Sequence, residues 1–189
     1  TFRIAIKNSF LFSIVATPVS VAIGLLLAIV AGEKRKLSPI YETMFALSMA
    51  VSTSVAAMIF QLMYNPNLGI LNHWLNSSFN WLGDRDIALW ALMIIWVWMN
   101  TGFNFIFCLS AVRGMSTEML ESADLDGATG FLRLRRIIIP SISPTLFFLI
   151  STSFTGNMMM NALVMILTQG GPRNSTQTMM YYMISEGVI

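Results

Sequence analysis

The chain has 189 residues, of which 56% are hydrophobic and only 11% charged, with a formal net charge of +2. A soluble domain carries about a quarter charged residues, so this composition excludes one and describes a membrane protein. The basic residues form no groove-reading stripe, which argues against a nucleic-acid partner, and the single cysteine, Cys108, excludes an internal disulfide.

A bilayer core of about 30 Å needs about 20 apolar residues in a helix. Four charge-free runs reach that length: Ser9 to Ala31, Thr43 to Tyr64, Ile87 to Val112, and Ile137 to Gly171. The first contains Pro18 with Ser13 and Thr17 beside it, and a packing kink is expected because hydroxyls and neighbouring helices can satisfy the freed carbonyl. The second carries Ser48, Ser52, Thr53, Ser54, Ala56 and Ala57, a small-residue face that lets another helix come close. Glu42, just before it, is expected to snorkel to the interface. The stretch from Asn65 to Asp86 is too polar to span, and Trp74 and Trp81 suit an interface, so a short helix lying on the outer leaflet is predicted there. His73, the one histidine, has no second ligand near it in sequence, so no metal site is expected.

The third run holds Asn100 and Asn104, four residues apart and so on one helix face. A charged island follows, ESADLDGATGFLRLRRIIIP from Glu121 to Pro140. Residues 117–125 place Met119, Leu120, Ala123 and Leu125 opposite Glu118, Glu121 and Asp124, the pattern of a short amphipathic helix that Ser116 or Thr117 would cap. Gly127 offers a positive-φ break. A second helix is predicted from about Thr129 to Arg136, acidic before its start and basic at its end, with Pro140 and Pro144 near the next membrane entry. The fourth span is expected from about Pro144 to Leu167 and carries Asn157 and Asn161, again four apart. Lys34, Arg35 and Lys36 follow the first run, and Arg113, Arg133, Arg135 and Arg136 follow the third. The positive-inside rule therefore makes those two loops cytoplasmic and both chain ends external.

Glu121, Ala123, Gly127, Ile137 and Pro140 stand at the spacing of the EAA loop of ABC importer permeases, which the chain resembles; Ser122 and Ile139 replace the usual Ala and Leu. NPNLGILN (65–72) is similar to the outer loop of carbohydrate-type permeases. Gly170, Gly171, Pro172, Asn174, Thr176 and Thr178 look like the outer LTxGGPxNxTxT segment of the sugar-importer branch, the maltose and glycerol-phosphate permeases among them. The resemblance implies an all-α transmembrane fold of the type I importer permeases, a single domain over 1–189 with four spans and a helix missing at each end. Residues 117–136 would form a cytoplasmic helix-turn-helix that docks on an ATPase, with Glu121, Ser122, Ala123, Asp126, Gly127, Ala128 and Arg133 as its coupling residues. It further implies, in a bacterial inner membrane, a second homologous permease, two nucleotide-binding subunits, an extracytoplasmic sugar-binding protein and contact with membrane lipid.

No constellation for covalent catalysis and no phosphate-cradling glycine loop with lysine occurs, so the chain is not expected to be an enzyme; ATP and Mg would be bound by partner subunits, with no cofactor or metal here. An amide facing hydrocarbon is costly, so Asn100, Asn104, Asn157 and Asn161 should turn toward the protein interior or a watery path. Two readings stand at this point: sugar hydroxyls matched by the amides' paired donor and acceptor, or helix-to-helix hydrogen bonds. No Arg or Lys lies within a predicted span, which suits a neutral polyhydroxyl better than a phosphate ester. Alternatives are another solute such as a polyamine, phosphonate or amino acid, an ion-driven carrier or channel, and a scaffold subunit.

Overall fold

The computed structural model describes residues 2–32, 38–76, 78–116, 118–119, 121–122, 127 and 130–187, and all regular structure among them is helical. Among the described residues, two helices are long and apolar enough to cross a membrane unbroken: α1 (Phe2–Gly32) and, counted after the short elements below, α5 (Ala88–Arg113). At 1.5 Å per residue α1 is about 46 Å long. It therefore starts well before the apolar run and carries Arg3 and Lys7 in its first turns. Pro18 lies within it. These two helices share the most extensive interface in the chain, and small residues on α1 make it possible. A Cβ on Gly24 would lie 2.7 Å from the Asn104 Cβ and 2.9 Å from the Phe105 nitrogen, so only glycine lets the backbones approach this closely.

The second predicted span is two helices, α2 (Ser38–Ala50) and α3 (Thr53–Met63), bent by 101°. The cause is local. Ser52 has extended backbone, and its hydroxyl accepts the Val55 N–H at 3.3 Å, so it caps a new helix rather than continuing the old one. The small-residue face is thus shared out: Ser48 and Phe45 receive Gly102 of α5, while Ala56 and Ala57 of α3 are buried in the outer half of the core.

In the loop that follows, α4 (Ile70–Trp74) is the predicted short helix. Trp74 is exposed, but Trp81 turns inward. Its ring stacks on Tyr64 at 5.5 Å, and its indole N–H donates to Asn72 Oδ1 at 2.8 Å. Asn72 in turn donates to the Phe79 and Pro66 carbonyls, and the Tyr64 hydroxyl donates to the Ala91 carbonyl. The loop is thereby fastened to the start of α5.

The fourth span is also broken. Helix α6 (Gly130–Ser141) meets α7 (Ser143–Met158) at a 75° bend. Pro144 occupies the first turn of α7, where its missing N–H costs little. Helix α6 outruns the predicted end at Arg136 because a wide π-type turn over Leu134–Ile138 precedes Pro140 and accommodates its missing donor. Helix α7 stops at Met158, short of the predicted Leu167, and a second wide turn follows at Val164–Thr168. The Met160 carbonyl released at this break accepts the Thr178 hydroxyl at 2.9 Å, which is how the chain can leave helical geometry at that depth. Helix α8 (Met179–Gly187) closes the described chain.

Candidate functional site

A polar seam runs between α1, α5 and α7. Asn157 is its hub: Oδ1 accepts the Trp96 indole N–H at 2.5 Å, and Nδ2 donates to the Thr17 hydroxyl at 2.8 Å. Deeper in the seam, the Ser153 hydroxyl donates to Asn104 Oδ1 at 3.3 Å. Asn104 is fully buried and its Nδ2 has no protein acceptor. Asn100 is half-buried and donates back to the Trp96 carbonyl of its own helix at 2.9 Å. Asn161 falls in the break after α7, half-buried, so it does not share a helix face with Asn157 as its spacing suggested. The structure therefore gathers Asn104 and Asn157 into one buried seam with Thr17 and Ser153. Thr17 and Ser153 are seam partners that sequence reasoning missed. Their only signal was a hydroxyl inside an apolar run.

An open cavity of about 670 Å³ lies elsewhere, between α1, α2 and α5. Val19, Ile23, Met44, Trp90 and Trp98 line it, with Ser48 and Thr101 as its polar groups. None of the amides faces it.

Residues 167–178 are folded against the start of α1. Asn8 Nδ2 donates to the Asn174, Ser175 and Gln177 carbonyls at 3.3, 2.9 and 3.0 Å, and Ser9 Oγ accepts the Met179 N–H at 2.8 Å. Within the segment the Thr176 hydroxyl contacts Thr168 Oγ1 and the Gly171 carbonyl. Gly170 has φ of +80°, and a Cβ there would lie 2.9 Å from the Tyr181 ring. Both facts require glycine.

Between α5 and α6 the described residues are 114–116, 118–119, 121–122 and 127. Ser116 is the cap, accepting the Met119 N–H at 3.3 Å. Glu121 and Ser122 are helical and exposed. Gly127 takes φ of +73° with nothing within 4 Å of a would-be Cβ, the positive-φ break its position suggested. Arg133 lies half-buried on α6. Ala123, Asp126 and Ala128 lie outside the described residues, as do the basic residues 34–36. Glu42 does not snorkel alone: both its oxygens receive the Arg113 guanidinium.

A family model, the binding-protein-dependent transport system inner membrane component, matches residues 20–188. The chain is 29% identical over 189 residues to an sn-glycerol-3-phosphate transport system permease protein of Agrobacterium fabrum, covering 98% of this chain and 64% of the relative. A probable ABC transporter permease of Mycoplasma genitalium is 34% identical over 163 residues, covering 83% of this chain and 50% of the relative. The chain thus spans less than two thirds of the length of these curated relatives. Among solved structures, a chain of a bacterial alginate ABC transporter, in complex with an alginate pentasaccharide-bound periplasmic protein, superposes with a TM-score of 0.87. It has 22% identity, over 98% of this chain and 67% of that one, and so shares its fold. A second alginate importer structure gives a TM-score of 0.81 at the same identity and coverage. With the family model matching from within α1 through α8, the chain belongs to the binding-protein-dependent transport system inner membrane components, the permease subunits of ABC transporters.

Proposed function

We propose that the chain is the membrane-spanning part of an ATP-driven importer that moves a sugar or related polyol delivered by an external binding protein across a bacterial inner membrane. The observation that carries this reading is the exposure of the loop between α5 and α6. In a chain of this family, the loop presents Glu121, Ser122 and Gly127 to solvent between two membrane elements, with open space around the glycine. An ATPase gripping the loop would push directly on α5 on one side and on α6 and the bent α7 on the other. Ala123, Asp126, Ala128 and Arg133 complete the gripped surface in this proposal, and ATP and Mg would be held by the nucleotide-binding partners. A second permease would complete the pathway.

For the cargo, the seam residues Thr17, Asn104, Ser153 and Asn157 are all uncharged, as is Asn100, one turn from Asn104 on α5. Neutral amides and hydroxyls match hydroxyl groups and offer no counter-ion to an anion. Asn157 is committed at both ends to protein partners, so in this proposal the half-buried Asn100 and Asn161 are the amides that meet cargo, and Asn104 Nδ2 is a spare donor. The names of relatives carry sn-glycerol-3-phosphate, and a charged polyol of that kind is the second reading; its charge would have to be met by another part of the assembly.

The test is the complete transporter in proteoliposomes, given ATP inside and a panel of neutral sugars, a sugar acid and glycerol-3-phosphate with the binding protein outside. ATP-dependent accumulation of one of these is expected. Gly127→Trp and Glu121→Lys are expected to stop it while ATP is still hydrolysed. Accumulation that needs no ATP, or normal uptake by both variants, would refute the reading.

A further inference from the structure

We propose that Arg113 is a positioning residue for coupling: it binds the inner ends of α1, α2 and α5 into one platform that moves with the loop between α5 and α6. This rests on the reading above that the loop receives the ATPase's motion. The geometry is a fork on a fork. Arg113 Nη1 donates to Glu42 Oε2 at 3.0 Å and Nη2 to Glu42 Oε1 at 2.5 Å, the two-point contact that fixes orientation as well as distance. Nη2 also donates to the Ala31 carbonyl at 3.3 Å. That carbonyl lies in the last described turn of α1, an end at which the helix dipole favours a cation. One side chain on α5 therefore joins it to two further helices, through partners 71 and 82 residues away along the chain.

Its place in the chain gives this junction a mechanical meaning. Arg113 is the last residue of α5, and only Gly114 and Met115 separate it from Ser116, whose hydroxyl caps the first turn of the loop. On the far side of the loop the Ser141 hydroxyl contacts the Met119 sulfur at 3.8 Å, so displacement of the loop is felt at both its roots. Helices α1 and α2 share little direct contact with each other; each packs mainly on α5. Without Arg113, a push on the loop would reach α5 firmly and α2 through packing further up α5, where Gly102 meets Ser48 and Phe45 and the Phe45 ring meets Phe105. With it, α2 is carried along at its inner end, and the 101° bend before α3 is the nearest place where the chain can flex.

The pair sits at the water's edge, with the two side chains 31% and 26% exposed. Charge attraction between such groups is weak as a source of stability. Removing the pair should therefore leave the fold standing and loosen the transmission, which makes the two roles separable by experiment.

The complete transporter in proteoliposomes is assayed for cargo uptake and ATP hydrolysis per assembled complex, and the purified complexes are compared by thermal melting. Arg113→Gln and Glu42→Gln are each expected to lower uptake per ATP about fivefold or more, the low end of a coupling free energy between sites, at unchanged melting. The exchange Arg113→Glu with Glu42→Arg is expected to restore most of the loss, and Arg113→Lys, which keeps the charge without the fork, to fall between. The platform is overturned if the single variants couple like the wild type. It is also overturned if the exchange is no better than either single, or if uptake, hydrolysis and melting fall together with their ratio intact. Gly127→Trp runs alongside: normal coupling in that variant with broken coupling at Arg113 refutes the lever while upholding the platform, and the converse refutes the platform alone.

Discussion

Asn157 offers the sharpest test of the seam, because one side chain serves two helices at once. Replacing it with leucine keeps the branched arrangement of heavy atoms, so no cavity opens, but removes the acceptor of the Trp96 indole and the donor to Thr17. Interhelical hydrogen bonds in membranes average about 0.6 kcal/mol and reach about 1.7, so losing both should cost about 1 to 3 kcal/mol. Equilibrium unfolding of the purified chain in bicelles, followed by circular dichroism, would read this loss. A double-mutant cycle with Thr17→Val isolates one bond, with an expected coupling of about 0.6 to 1.7 kcal/mol. An Asn157→Leu variant as stable as the wild type, or a cycle with no coupling, would show that the seam bonds do not hold the helices. In transport, the assembled variant should keep its KM for cargo. A raised KM at full stability would instead mean that Asn157 itself touches the cargo.

Asn161→Ala is expected to do the opposite, raising KM for cargo with little change in unfolding free energy, since the residue sits half-buried at a break in the chain; unchanged uptake across a range of cargo concentrations would refute this. Gly24→Val forces a Cβ into the 2.7 Å gap against Asn104 and should destabilise by about 1 to 3 kcal/mol, seen as a lower unfolding midpoint. Asn8→Leu deprives three carbonyls of their donor; at about 0.5 to 1.5 kcal/mol per bond, amide exchange across 174–179 should accelerate at least about tenfold, and unchanged protection there would place the rigidity of the segment elsewhere.

The outer segment shows how far local pattern reaches. Gly170, Gly171, Pro172, Asn174, Thr176 and Thr178 are recognisable in the sequence as a group, yet their use is not: Gly170 makes room for Tyr181, and Thr178 caps a carbonyl in the break after α7. The partner holding the segment, Asn8, lies 166 to 169 residues away, just before the first apolar run. Likewise Ser52 was read for its small size, when its hydroxyl starts a new helix. Pairing Asn157 with Asn161 by helical spacing assumed a helix that ends at Met158.

The membrane character, the all-helical class, the charged loop with its glycine break and the family all follow from the order of residues alone, because apolar run length, charge placement and short motifs are properties of neighbouring positions. Where the apolar runs break was decided only by the tertiary structure. A backbone carbonyl can leave its helix inside the membrane only if another group meets it, and at Met160 that group, the Thr178 hydroxyl, comes from a segment folded back from further along the chain. The same holds for the Arg113 junction and the Asn157 seam, whose partners are 61 to 140 residues distant. Nothing in the local pattern names such partners; packing α1, α5 and α7 together does.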